Sequence, residues 1–180
     1  MALDAQSFYN TVAATGLARD FLFRVKNITI RGAALNNEAG GLIYARAAAY
    51  PGRVIEDMPV NFYGHEYHLA GRALYPSAGS YTVEFYVPGD LSVRETLEKG
   101  STDTHEMGTG ITGIDKGEYI MLEPLGGPGG EAGEGGGGKS IKLHGAQIRE
   151  IGDINYLIAD GTGEVVVFSV TFAYQYYTLE

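Results

Sequence analysis

Cysteine is absent from this 180-residue chain, which removes disulfides, thiolate catalysis and the sulfur-rich zinc sites together. Stability must therefore come from packing and association. Long apolar stretches are missing too, with no run of 18 or more such residues. The opening MALDAQSFYN has no basic segment followed by an apolar one, so neither a membrane anchor nor a signal peptide is expected. Cations are scarce: 13 Lys and Arg stand against 22 Asp and Glu, a formal net charge of -9. Binding to phosphates normally needs several Lys or Arg contacts that release counterions, so tight nucleic-acid binding is disfavoured. The same charge suits a surface past which nucleic acid slides without sticking.

Aromatic residues and glycine are plentiful, with 13 Tyr, 7 Phe and 27 Gly, the glycine share being roughly twice the usual one. Strands joined by many turns follow from that mixture. With 44% hydrophobic residues, the chain is long enough for one core and is read as a single domain, 1–180. Asp4 to Ala14 has the spacing of a short N-terminal helix, stopped by Thr15-Gly16. Phe21 to Ile30 alternates like a half-buried strand whose phase slips near Asn27, the mark of a bulge. Leu42 to Ala49 reads as a second strand, ended by Tyr50-Pro51-Gly52.

Val60 to Leu69 predicts a thin, two-faced hairpin with its tip at Tyr63-Gly64 or Gly64-His65, preceded by a loop from Ala49 to Pro59. Tyr81 to Val87 is a strand closed by Pro88-Gly89. Asp90 is placed to cap a helix from about Leu91 to Lys99, and Ser92 to Glu95 has capping-box spacing. A polar stretch from Gly100 to Gly113 follows, then a short strand at Tyr119 to Leu122. Ile141 to Ile151 resumes strand character. Glu164 to Tyr177 carries the strongest signal, a long central strand with Val166, Phe168, Val170, Phe172, Tyr174 and Tyr176 on one face. Nine of the thirteen residues from Gly126 to Gly138 are glycine, so 126–140 is expected to be a flexible surface loop, because glycine contributes no side chain to pack and loses the most backbone entropy on ordering.

Chemistry-bearing motifs are few. Gly133 to Ser140 matches the phosphate-loop pattern GxxxxGK[ST], but that motif needs an apolar strand before it and a helix beginning at its Lys-Ser. Here LGGPGGEA precedes it and a strand-like IKLHGAQI follows, so a plain loop is the preferred reading. His65, Glu66 and His68 are close in sequence, yet on a strand the two histidines point to opposite faces and cannot share a metal. His105 and His144 have no partner visible in sequence. Asp57, Glu66, Glu84, Glu123 and Glu150 do not single out an acid and a base, and Asn27-Ile28-Thr29 is a glycosylation sequon only in a secreted protein. Catalytic, cofactor-binding and metal-binding residues are all expected to be none. The C-terminal tyrosines Tyr174, Tyr176 and Tyr177 are divided between core and interface roles.

Three blocks, in order, resemble the tail tube proteins of contractile-tailed bacteriophages. They are Leu17 to Val25; Tyr50-Pro51-Gly52 through Ile55-Glu56-x-x-Pro59-Val60 to Leu69-Ala70-Gly71; and Glu164-x-x-x-Phe168-x-Val170-Thr171-Phe172 with its Tyr-rich end. Together they span somewhat under half of the chain. The glycine tract and the weak helix after Asp90 depart from the family's pattern. The resemblance implies a mostly β subunit, two antiparallel sheets packed as a sandwich or barrel with one flanking helix, forming hexameric rings that stack into the inner tail tube. It implies a virion tail protein, held in the host cytoplasm before assembly. Its partners would be further copies of itself, the tail sheath, baseplate, tail terminator and tape-measure proteins, with double-stranded DNA passing through the bore without specific binding. Tyr50, Pro51, Met58, Pro59, Tyr63, Gly64 and His65 would then contact neighbouring subunits or the next ring, and the loop carrying Gly126, Gly133, Gly138 and Lys139 would face outward. Two alternatives stay open, the tube of a related contractile secretion or injection system and a monomeric β-sandwich that binds carbohydrate or a small ligand through its aromatic residues.

Overall fold

The computed structural model describes residues 23–31, 33–36, 44–104, 117–124, 139–156 and 163–180. The expected N-terminal helix, the start of the first strand, the Leu17 to Leu22 part of the first resemblance block, His105 and the glycine tract with Gly126, Gly133 and Gly138 lie outside the described residues.

In chain order, β1 (Phe23–Ile30) and β2 (Ala33–Asn36) form a hairpin, and β3 (Ala45–Ala48) follows. A long hairpin comes next, β4 (Val54–Phe62) and β5 (His65–Leu74), then β6 (Tyr81–Tyr86) and the helix α1 (Ser92–Thr104). The remainder is β7 (Tyr119–Pro124), β8 (Ile141–His144), β9 (Gln147–Ile151), β10 (Val167–Ala173) and β11 (Tyr176–Leu179). These make a five-stranded sheet, β11-β8-β7-β1-β2, a four-stranded sheet, β3-β6-β10-β9, and the separate two-stranded β4-β5. Every pairing is antiparallel. The architecture is the expected mostly β one, two sheets with a flanking helix, and the sheets do not close into a barrel.

Alternation decides which faces meet. Val25, Ile28, Ile30, Ile120, Leu122, Ile141 and Leu143 from the larger sheet and Tyr81, Val83, Phe85, Phe168, Val170 and Phe172 from the smaller form one buried core. Val25 and Ile28 are three apart, an odd spacing that a regular strand would put on opposite faces. A bulge between Val25 and Asn27 inserts one residue and restores the phase, as the slip in the sequence pattern predicts. Cross-strand partners Phe85 and Phe168 stack at 5.6 Å. The helix adds Val93 and Leu97 and packs against β9 and β2. It runs five residues beyond the expected Lys99. Asp90 accepts hydrogen bonds from the Ser92 backbone N–H (3.1 Å) and hydroxyl (2.9 Å), which hold its carboxyl below the usual aspartate pKa. Ser92 is thus the first helical residue, with its hydroxyl donated backward, instead of the cap of a Ser92–Glu95 box.

Three expectations need correction. The Ile141 to Ile151 segment is two strands in different sheets, because the chain turns at Gly145 (φ 65°) and buried Ala146. The C-terminal strand is likewise divided: β10 is central between β6 and β9, but the chain crosses at Tyr174-Gln175 to pair as β11 with β8. Tyr174 stays buried, with its N–H donated to the Ala78 carbonyl (2.8 Å) and its hydroxyl 2.9 Å from Ser77 Oγ. Tyr176 therefore does not share a face with Phe172 and is 48% exposed. Finally, the supposed Ala49 to Pro59 loop is already strand from Val54, and β2 is a strand that the sequence pattern did not reveal.

Candidate assembly surface

Among the described residues the β4–β5 hairpin pairs only with itself and stands apart from the two sheets of the sandwich. Its tip is Tyr63-Gly64, with φ of 50° and 76°, the two positive values that a two-residue type I′ turn requires. Register then sorts the side chains. The pairs Met58–Leu69, Val60–Tyr67 and Phe62–His65 share one face, while Pro59–His68, Asn61–Glu66 and Asp57–Ala70 share the other. One face is an apolar ladder and the other is polar.

Exposure makes the ladder unusual. Met58, Val60, Phe62, Tyr67 and Leu69 are 39–61% exposed, and Tyr63 at the tip is 88% exposed. A two-stranded hairpin is at best marginally stable alone, and a contiguous apolar face on a soluble surface marks an interaction site. On the polar face His68 Nδ1 lies 2.5 Å from Asp57 Oδ2. At the root, a bulge between Ile55 and Asp57 sets Glu56 opposite Arg72, whose Nε and Nη2 donate to the carboxylate at 2.6 and 3.1 Å. Gly71 permits this crossing, since a Cβ there would stand 2.9 Å from the Glu56 carbonyl oxygen. Pro59 is tolerated in mid-strand because, among the described residues, β4 has no partner on its other side.

The expected contact residues are mostly gathered here. Met58, Pro59, Tyr63, Gly64 and His65 are all exposed on the hairpin. Tyr50 is 44% exposed at its entry, its hydroxyl pKa raised by partial burial and then by the Glu123 carboxylate. Pro51 is buried within the subunit and anchors that entry instead of presenting a surface. Val60, Phe62, Tyr67 and Leu69 were not singled out from the sequence, although the alternation M-x-V-x-F against Y-x-L carried the signal. Lys139 is exposed, and Ser140 leads directly into β8, so a strand stands where a phosphate loop needs a helix N-terminus.

The remaining chemistry-bearing residues are dispersed. His65 and His68 are on opposite faces of the hairpin. Glu123 is bound by Arg24 at 2.7 Å and Glu84 faces Arg46 at 3.5 Å, on different sheets. His144 stacks on Tyr176 at 4.7 Å, and Lys142 lies 4.6 Å from the centre of the Tyr119 ring, both on the outer face of the five-stranded sheet. Thr29 and Asn27 hydrogen-bond the Tyr119 hydroxyl and lower its pKa. No cluster of three metal-ligating side chains exists among the described residues.

No protein-family model matches the chain, and no curated protein matches it. Solved structures do. A chain of the anti-feeding prophage (AFP) baseplate, determined by cryo-EM and 6-fold symmetrised, superposes with a TM-score of 0.59 at 14% identity, covering 91% of this chain and 95% of that one. This chain has the fold of a subunit from contractile injection particles. A chain of the PVC sheath/tube terminator, from an extracellular contractile injection system in the extended state, gives 0.57 at 10% identity over 91% and 96% of the two chains. One from the PVC sheath-tube complex gives 0.54 at 10% identity over 95% and 96%.

Proposed function

We propose that the protein is a tail tube subunit: a structural virion protein whose hexameric rings stack into the inner conduit of a contractile tail and pass the phage genome to the host during contraction. The observation that carries this reading is the projecting hairpin with its unpartnered apolar ladder, on a fold shared with chains of contractile particles. Stacking would bury that ladder against the next ring. Rings whose sheets continue from subunit to subunit also satisfy strand edges that a monomer leaves open. A net charge of -9 suits a wall that duplex DNA crosses without losing its counterions to it. Sheath, baseplate, terminator and tape-measure proteins are the partners such a tube requires.

A second reading is the tube of an extracellular injection system carrying another cargo, and it is favoured by the AFP and PVC origin of the similar structures. Negative-stain electron microscopy of the concentrated protein, without nucleotide, tests both. Six-fold rings or hollow filaments of uniform width support the assembly. Monomers that persist when baseplate is supplied refute it and return the monomeric binding module. Nuclease-protected DNA in tails carrying the protein separates genome conduit from injection tube.

A further inference from the structure

The hairpin leaves the sandwich at one end and a groove opens at the other. Strand β6 starts at Tyr81, just after the hairpin, and Tyr81 donates its hydroxyl to Ala49 O (2.8 Å), beside the hairpin's other root. It ends at Tyr86, where Pro88 leads into α1. Strand β10 runs back along β6, and β9 returns along β10 so that Ile151 lies toward the Tyr86 end. There Leu91, Arg94, Asp153, Ile154, Asn155 and Tyr156 line an open groove of about 440 Å³. Arg94 ties its two walls by donating from Nη1 to the Gly152 carbonyl at 3.1 Å. Leu91 and Tyr156 are 40% and 61% exposed in it.

Two further observations join these distant sites. Among the described residues the only non-glycine positions with positive φ are Tyr63 (50°), at the hairpin tip, and Leu91 (55°), in the groove. Left-handed backbone is unfavourable for both residue types, and a type I′ turn is better served by Asn or Gly than by Tyr. Strain held at an exposed apolar side chain points to a contact that uses it. Charge is complementary at one point as well: the His65 ring beside the tip can donate to the Asp153 carboxylate, while the Arg94 guanidinium is already paired with Glu98 at 2.7 Å. The Phe62 and Tyr63 rings already pack edge to face at 4.7 Å, a preformed knob. At about 3.3 Å per residue β4 extends roughly 26 Å, against about 16 Å for β6.

Building on the ring-stacking reading, we infer that the occupant of the Leu91–Tyr156 groove is the Phe62–Tyr63 tip of a second copy of this chain. The contact is head to tail, using two different patches, and such heterologous contacts propagate instead of closing as a dimer. It assigns the hairpin's end to a defined receptor and makes Leu91 and Tyr156 interface residues.

The absence of native cysteine makes the test clean. Asn61→Cys, beside the tip, and Asn155→Cys, on the groove rim, leave the apolar contacts intact. The two variants are mixed at equal concentration, treated with a short bismaleimide and imaged from the same sample. Cross-linked dimer in the mixture is expected, absent from either variant alone and from Asn61→Cys mixed with Thr102→Cys. Adding Tyr63→Ala to the first variant should reduce its yield at least tenfold. Stacked tubes without this cross-link overturn the inference and leave ring stacking standing. Neither tubes nor cross-link, with baseplate supplied, overturns both.

Discussion

Replacing Met58, Val60 and Phe62 together by threonine removes the apolar ladder from β4 while keeping β-branched residues that suit a strand. Fully burying a side chain of this kind stabilises by about 1.5–3 kcal/mol, and each of the three is 39–61% exposed in the free subunit. Under the proposed stacking, docking against the next ring has about half of that left to gain, roughly 1 kcal/mol per residue and about 3 kcal/mol for the triple variant. At about 1.4 kcal/mol per factor of ten, the critical concentration for tube growth should rise about 100-fold for one hairpin contact. Where several hairpins dock at once the effect is larger. The folded subunit should scarcely change, since these side chains touch none of its core and surface substitutions usually cost within about 0.5 kcal/mol. Sedimentation over a concentration series reads the first quantity and a thermal melt the second, with a shift of about 2 °C or less expected. An unchanged critical concentration would refute the reasoning. So would a Tm loss well beyond 5 °C, since the ladder would then be packed against the subunit itself.

Four other outcomes follow from the structure. Phe172→Ala, at a fully buried position, should lose about 3–5 kcal/mol in denaturant unfolding, because the sandwich cannot collapse around the cavity. Gly71→Ala forces a Cβ to 2.9 Å from the Glu56 carbonyl oxygen, so amide exchange should quicken in β4 and β5 while the core strands keep their protection. Asp90 has a folded pKa below its ordinary 3.8, so its capping contribution is present above that value and is lost as pH falls through the lower folded one. Carboxyl NMR should show the depressed titration, and Asp90→Ala should remove the acid-dependent fraying of the first helical turn. Lys139→Ala should leave thermal stability with and without magnesium-ATP identical, since a strand follows the loop; a nucleotide-induced shift in the wild-type chain would revive the phosphate-loop reading.

Where one face of a strand meets the core and the other meets solvent, the order of residues already says so. That is why Tyr81–Tyr86, Val167–Ala173 and the bulged β1 were readable in advance, along with the Tyr63-Gly64 turn. The hairpin was recognisable as thin and two-faced, yet its full extent was not. Pro59 argues against strand in a linear reading, and only the lack of an outer neighbour makes it harmless. The groove gave no linear signal, because Leu91 and Tyr156 are 65 residues apart and are brought together by the return of β9 along β10.

Composition and alternation by themselves determined a β-rich chain without thiol chemistry, an acidic surface and the set of side chains that must be buried. These are local properties, fixed by the period of the strand and the cost of hydrating apolar groups. Tertiary structure alone decided where strands change sheets. At Tyr174-Gln175 the alternation continues unbroken and at Gly145-Ala146 it slips by one residue, but neither pattern names the new partner: the backbone donors of Gly145, Tyr174 and Gln175 are taken by Glu118, Ala78 and His144, and these bonds bend the chain from one sheet to the other. Pairing partners far apart in sequence make that choice, and no local pattern contains them.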